Sequence, residues 1–218
     1  MKEINSISGY AFASAAHSHA HSYLLPYIDV AMAKEQQRLQ GLQEPPRLFD
    51  LGCGNGSVAA HYARAGWQIT GVDPSEDGIA QAQRAFGDLD LGVGSAYEDL
   101  EDRFGRFPLV ISLEVVEHVY APRDYAKTLF SLVEPGGLAI VSTPYHGYVK
   151  NVALAVTGKL DNHFTALWAH GHIKFWSMKT LGTLLKDAGF EEPSFGRVGR
   201  IPPFAKSMIA FARRPVQG

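Results

Sequence analysis

Glu114, Glu117 and His118 stand close together directly after the apolar run 108–113 (PLVISL). On a helix starting there, the three would share one face. Two carboxylates and an imidazole can hold a divalent cation, which would orient an acceptor hydroxyl and favour its ionisation. His118 alone can serve as a general base. Acids in a first helical turn are also favoured by the helix dipole with no metal at all, so the spacing leaves these readings open. A second group of residues is Asp50-Leu51-Gly52-Cys53-Gly54-Asn55-Gly56, between a strand-like and a helix-like run. Its glycines allow a tight turn and close approach of backbone to a ligand. Asp73 closes the next strand-like run, where a carboxylate can accept hydrogen bonds from both hydroxyls of a ribose. The spacing is G-x-G-x-G with Ser57 in place of the third glycine of a dinucleotide fingerprint, and Asp50 could meet a positive group. Both features depart from the nicotinamide dehydrogenase pattern.

The elements that must carry these residues alternate. A helix is expected over 22–40, ended by Gly41 and Pro45-Pro46. Strands are expected at 47–51, 67–72, 89–93, 108–113 and 138–143, with helices at 57–65, 75–86 and 122–133 between them. Pro135-Gly136-Gly137 should stop the last of these helices. A further helix near 178–188 precedes two strands, 193–198 and 207–212, whose short connection favours antiparallel pairing. Repeated strand-helix units imply a mainly parallel sheet with helices on both faces.

Five blocks in order carry a resemblance. LFDLGCGNGSVA (48–59) resembles motif I of class I S-adenosylmethionine-dependent methyltransferases, and GVDPS (71–75), GSAYEDL (94–100), LVISLEVVEHV (109–119) and LVEPGGLAIVSTP (132–144) agree with it. The resemblance implies an α/β, Rossmann-like seven-stranded sheet of order 3-2-1-4-5-7-6, with strand 7 antiparallel. It also implies S-adenosylmethionine as cofactor. Asp50, Gly52, Gly54 and Gly56 would hold its methionine part, Asp73 and the adjoining Pro74 its ribose side. Ser95 and Ala96 would lie by the adenine, and Leu113 under the sulfonium. EVVEHV is similar to the motif of ubiquinone-pathway O-methyltransferases. A related E-x-x-E-H arrangement occurs in small-RNA 2′-O-methyltransferases, where a later histidine completes the site. Here that histidine would be His172, with His170 as competitor. The resemblance therefore implies catalytic roles for His118 and His172, and a Mg or Zn site at Glu114, Glu117, His118 and His172. The acceptor it implies is a small phenolic or quinone-type molecule. The alternatives are an RNA end, or cofactor binding without catalysis.

Composition sets the remaining bounds. The 218 residues read as one methyltransferase domain with an arm (1–21) and an aromatic and histidine-rich lid (144–177). A net charge of −2 argues against an extended nucleic-acid surface. The single cysteine, Cys53, fits a reducing compartment and reads as a small packed residue. No run is long enough to span a bilayer, so the expected location is the cytoplasm. The apolar stretch 149–157 would form a short helix, packed on the domain or touching a membrane surface, with packing expected. His17, His19 and His21 would share a face in an extended arm, either as solvated residues or as metal ligands. A folded arm would instead bring one of them, or Tyr10, to the cofactor. The oligomeric state is not legible.

Overall fold

The computed structural model describes residues 12, 14–42, 45–164, 166–168 and 171–216. The expectations placed on Tyr10 and His170 lie outside them. Seven strands make one sheet: β1 Arg47–Leu51, β2 Gln68–Asp73, β3 Asp90–Val93, β4 Phe107–Leu113, β5 Val133–Pro144, β6 Ser194–Val198 and β7 Ser207–Arg213. Their order is β3-β2-β1-β4-β5-β7-β6, and β7 runs antiparallel to both β5 and β6, as the resemblance implied. The helices are α1 His21–Leu39, α2 Ser57–Arg64, α3 Glu76–Ala85, α4 Leu100–Phe104, α5 Pro122–Leu132, α6 Tyr148–Val156, α7 Leu160–Phe164 and α8 Met178–Asp187.

Both faces of the sheet are covered, which is why all seven residues of β4 are buried. Successive side chains feed opposite cores. Leu48, Leu109, Ile111 and Ile140 pack with Leu24, Ile28 and Tyr62 of α1 and α2. Phe49, Val110, Ala139 and Val141 pack with Tyr125, Leu129 and Leu185 of α5 and α8. The cap at Ser75 forms as expected, its hydroxyl accepting from Gly78 N–H, and Ser177 with Thr180 closes a capping box on α8.

Three local expectations change. The five-residue α4, capped by Asp99, is too short to show an apolar period. Pro135-Gly136-Gly137 does not separate a helix from a strand, because β5 already begins at Val133. The pairing runs Phe107↔Val133 and then Leu109↔Leu138, so these residues form an irregularity inside the strand. In α6 no residue is buried, and Tyr148 and Val156 are more than four-fifths exposed. That helix leans on α7 and on the 3-10 turn Pro202–Phe204 without burying its apolar side chains.

Candidate active site

The carboxyl ends of β1 and β2 lie side by side, with Asp50 level with Gly71 and Leu51 with Val72. Gly52 and Cys53 N–H both donate to the Val72 carbonyl, at 2.8 and 3.0 Å, folding the chain back at the strand end. Gly52 and Gly54 have φ of +92° and +53°, a region that side chains disfavour. Gly54 N–H donates to Asp73 Oδ2 at 2.9 Å and Ser75 N–H to Oδ1 at 2.8 Å. Asp73 thus ties the glycine turn to the end of β2, and each oxygen keeps a further lone pair for a ligand. Burial pushes its pKa up, against the pull of those two N–H groups. Asp50 is 2% exposed, and its Oδ2 has no partner. Burial, then the Asp73 charge, pushes its pKa up to about 8. An orphaned buried carboxyl beside a glycine turn suits a ligand that brings a cation or a donor. Burial also pushes the Cys53 thiol well up, so this residue is a packed side chain and not a nucleophile.

Pro74, Ser95 and Ala96 sit half-buried on the same edge of the sheet. Gly94 N–H donates to the Asp73 carbonyl at 3.2 Å, which brings the turn after β3 alongside. Leu113, at the end of β4, is 8% exposed. The arm crosses this edge. Phe12 lies over Gly54 and Gly78, where an added Cβ would come within 2.7 and 2.8 Å of its ring. Asn55 Nδ2 holds the arm through the carbonyls of Ser14 and Ala16. The arm histidines do not share one extended face. His17 and His21 stack edge-on, with His17 also against His61, while His19 meets Lys206 and Tyr23.

No helix starts at Glu114, which corrects the shared-face expectation. Glu114 has φ +58°, the left-handed region, and is the one non-glycine residue there among the described residues. Such a conformation costs about 1–3 kcal/mol and persists only where neighbours impose it. Here Ser142 and Ser207 impose it. Ser142 Oγ donates to Glu114 Oε1 at 2.8 Å and accepts from Glu114 N–H at 3.0 Å; Ser207 Oγ donates to Oε2 at 3.4 Å. These bonds occupy both carboxyl oxygens of Glu114, whose charge still acts on Glu117. The acids and imidazoles that do meet are Glu117, His118 and His172, with one ligand atom of each lying within 4.8 Å of the others.

Long-range backbone bonds bring them together. Ile173 and Lys174 N–H both donate to the Glu117 carbonyl at 2.9 Å, and Trp176 Nε1 donates to the Val116 carbonyl at 3.0 Å. His118 Nδ1 donates to the Gly171 carbonyl at 3.2 Å, so any ligation by this ring falls to Nε2. His172 Nε2 stands 3.9 Å from Glu117 Oε1. Burial first, then His118 and His163, push His172 down to about 4, so it is neutral. Glu117 is 1% exposed and both its carboxyl oxygens lack a hydrogen-bond partner. Burial and the Glu114 charge push it well up; Thr143, whose hydroxyl is also unpartnered, lowers it without a bond of normal geometry. Glu114 itself is raised to about 7 by burial, against the two serine hydroxyls.

A methyltransferase-domain family profile matches residues 24–192. The chain belongs to the S-adenosylmethionine-dependent methyltransferases. A ubiquinone biosynthesis O-methyltransferase of Ruegeria pomeroyi is 33% identical over 175 residues, covering 77% of this chain and 70% of that protein. One from Azorhizobium caulinodans is 35% identical over 167 residues, or 73% of this chain and 62% of that protein. With a Caulobacter relative the match spans 46% of that protein. Among solved structures, magnesium protoporphyrin IX methyltransferase from Synechocystis, with SAH bound, superposes with a TM-score of 0.61 at 22% identity. That match covers 87% of this chain and 82% of the other. The [4+2]-cyclase SpnF gives 0.64 at 19% identity over the same shares, so at this distance likeness shows the fold alone.

In this methyltransferase the sequence singled out the glycine turn and Asp73, which the structure brings together, but missed Ser142 and Ser207, which bond the Glu114 carboxyl. A signal existed. Ser142 and Thr143 are hydroxyl residues, fully buried, that end the otherwise apolar run 138–143. Buried hydroxyls find partners, and a run such as LAIVST asks what they bond. No helix among the described residues is long and apolar enough to cross a membrane.

Proposed function

We propose that this methyltransferase acts on an oxygen of a small, ring-bearing acceptor, with a divalent cation held by Glu117, His118 and His172. The observation that carries the proposal is the Glu117 carboxyl, buried with neither oxygen partnered, between two imidazoles of which His172 is neutral. A buried carboxylate is stable when paired or when it coordinates a metal, and neutral imidazole is the ligating form. One carboxylate and two imidazoles suit Zn or a similar divalent ion, and such an ion would supply positive charge that lowers the pKa of an acceptor hydroxyl. Glu114, bonded by Ser142 and Ser207, supports the loop and leaves the cation to the other three.

The remaining roles fall to the chain itself. Asp50 faces the cofactor's amine, Asp73 its ribose, Ser95 and Ala96 its adenine, and Leu113 forms an apolar wall near the sulfur. When bound, S-adenosylmethionine supplies a methyl group on a positively charged sulfur. The protein must align the acceptor oxygen behind that methyl and exclude water. With a cation bound, the His118 Nε2 lone pair is a ligand; without one, the same nitrogen can take the acceptor's proton. The aromatic lid, with Phe164, Trp168 and Phe175, suits a ring. A phenolic or quinone-type acceptor also agrees with what the relatives' names state.

Calorimetric titration of Mg²⁺ and then Zn²⁺ into protein saturated with S-adenosylhomocysteine tests the site. Stoichiometric binding is expected in the wild type and at least about tenfold weaker binding in Glu117→Gln, with cofactor affinity unchanged. Methyl transfer to catechols should fall with it, and labelled RNA ends should stay unmethylated. No cation binding, or equal binding by the variant, sinks the metal reading.

A further inference from the structure

The lid carries an open cavity of about 400 Å³ lined by His146, Asn151, Phe164, Ala166, His172 and Phe175. His172 belongs to the cluster already described. His146 and Asn151 do not, and they carry polar atoms that nothing satisfies. His146 is 8% exposed, and its Nδ1 has no partner. Its backbone N–H is fixed to the Trp176 carbonyl, and its ring is held parallel to Phe164 and edge-on to Phe175 at 5.1 Å. His163, whose ring lies 5.0 Å from that of His146, has an unpartnered Nε2, and Asn151 an unpartnered Oδ1. Two of these orphans belong to residues that line the cavity and the third, on His163, adjoins His146; each costs stability in the free protein.

Their electrostatic surroundings have one sign. Lys150 Nζ donates to the Tyr145 and Ala205 carbonyls at 2.8 and 3.1 Å, which commits two of its three N–H groups. After burial, the groups acting on His146 are His163, Lys150 and His172, and the group acting on His163 is Lys150. Lys150 is itself depressed to about 8 by burial and then by Arg200. Among the described residues, no carboxylate acts on this pair of imidazoles. An uncharged hydroxyl would satisfy one or two of the orphaned atoms but leave the lysine charge uncompensated. A carboxylate can accept an N–H bond from each imidazole, and it also neutralises that charge, while the Asn151 oxygen, an acceptor, is left to a ring hydroxyl of the same ligand.

We propose that His146, His163 and Lys150 form a recognition site for a carboxylate on the methyl acceptor. The substrate is then a ring with an oxygen nucleophile toward Glu117, His118 and His172 and an anionic substituent toward His146. This rests on the acceptor reading above. The volume, near the lower end for small-molecule sites, suits a single ring with short substituents inside the cavity.

The test compares protocatechuate (a dihydroxybenzoate), its carboxamide and plain catechol as acceptors. In the wild type, kcat/KM for the acid should exceed that for the amide at least about tenfold. In Lys150→Gln and in His146→Gln the ratio should fall toward one. Because it is a ratio, partial misfolding of a variant does not move it. Equal use of acid and amide by the wild type, or a ratio that survives both substitutions, overturns the proposal. If no catechol is methylated, the acceptor reading fails on its own, and calorimetry with benzoate against benzamide, in protein saturated with S-adenosylhomocysteine, decides the site. Selective benzoate binding that Lys150→Gln abolishes upholds it; equal binding of the two, or none, overturns it.

Discussion

Asp50 should make cofactor binding depend on pH in a calculable way. In the free protein its carboxyl is buried, one oxygen has no partner, and its pKa is raised to about 8 by burial and then by Asp73. At pH 7 such a group is about nine-tenths protonated. Pairing with the ammonium of S-adenosylhomocysteine requires the ionised form, so binding must expel a proton. The cost of ionising is about 2.7 kcal/mol at pH 6, about 1.4 at pH 7 and about 0.4 at pH 8. Wild-type affinity should therefore rise about fiftyfold from pH 6 to pH 8. At pH 7, titrations in two buffers of different ionisation enthalpy should report release of about 0.9 proton per cofactor bound. Asp50→Asn keeps the shape and removes the titration. Its affinity should be nearly flat across that range, about equal to the wild type at pH 6. At pH 8 it should be weaker by about 1–2.5 kcal/mol, the worth of a charge-assisted bond less the residual ionisation cost. The same raised pKa lowers stability as pH rises from about 4 to 8, since the folded state holds a proton that the unfolded chain has lost. Wild-type binding without a pH slope, or the same slope in Asp50→Asn, would refute the assignment of Asp50 to the amine.

Two substitutions test the frame around the site. Gly71→Ala would place a methyl 2.9 Å from the Asp50 backbone carbonyl, with Leu91 and Cys53 closing the other sides. Backbone cannot move aside cheaply, so a loss of about 1–3 kcal/mol is expected in denaturant titration; an unchanged midpoint would show that β1 and β2 can part there. Arg213→Ala removes one of two guanidinium partners of the buried Glu35, the other being Arg38. The loss should be about 1–3 kcal/mol at pH 7, less than for a sealed pair because both arginines are partly solvated. Although burial opposes it, the two arginines hold the Glu35 pKa below its usual value. Its stabilisation is therefore present above the unfolded pKa and is lost as pH falls through the folded one, and the variant's stability curve should be flatter on the acid side. Parallel curves for the two proteins would show that Arg38 suffices.

What could be read from the sequence was what chain neighbours determine. The glycine turn, the acid closing β2 and the Ser75 cap are local devices, and each lies where the residues placed it. The glutamate-histidine cluster is different. Its spacing suggested a helical face, yet Glu114 turns left-handed because Ser142 and Ser207, 28 and 93 residues away, hold its carboxyl. His172 came under consideration through the family resemblance, and its place beside Glu117 depends on Ile173 and Lys174 bonding to the Glu117 carbonyl across more than fifty residues. No periodicity encodes such a contact. A weaker trace was available, in the hydroxyls of strands that are otherwise apolar. Ser112 Oγ donates to the Leu51 carbonyl at the head of the glycine turn, and Ser142 Oγ to Glu114. In each case a fully buried hydroxyl in a hydrophobic run supports the loop that follows a neighbouring strand or its own partner. A buried hydroxyl without such a bond would cost more than the alanine that could replace it, so its presence in a buried strand points to a backbone or side chain that must be held. Thr143, also fully buried, acts on the Glu117 carboxyl and lowers its pKa, so by the same reasoning it is kept there to hold that side chain.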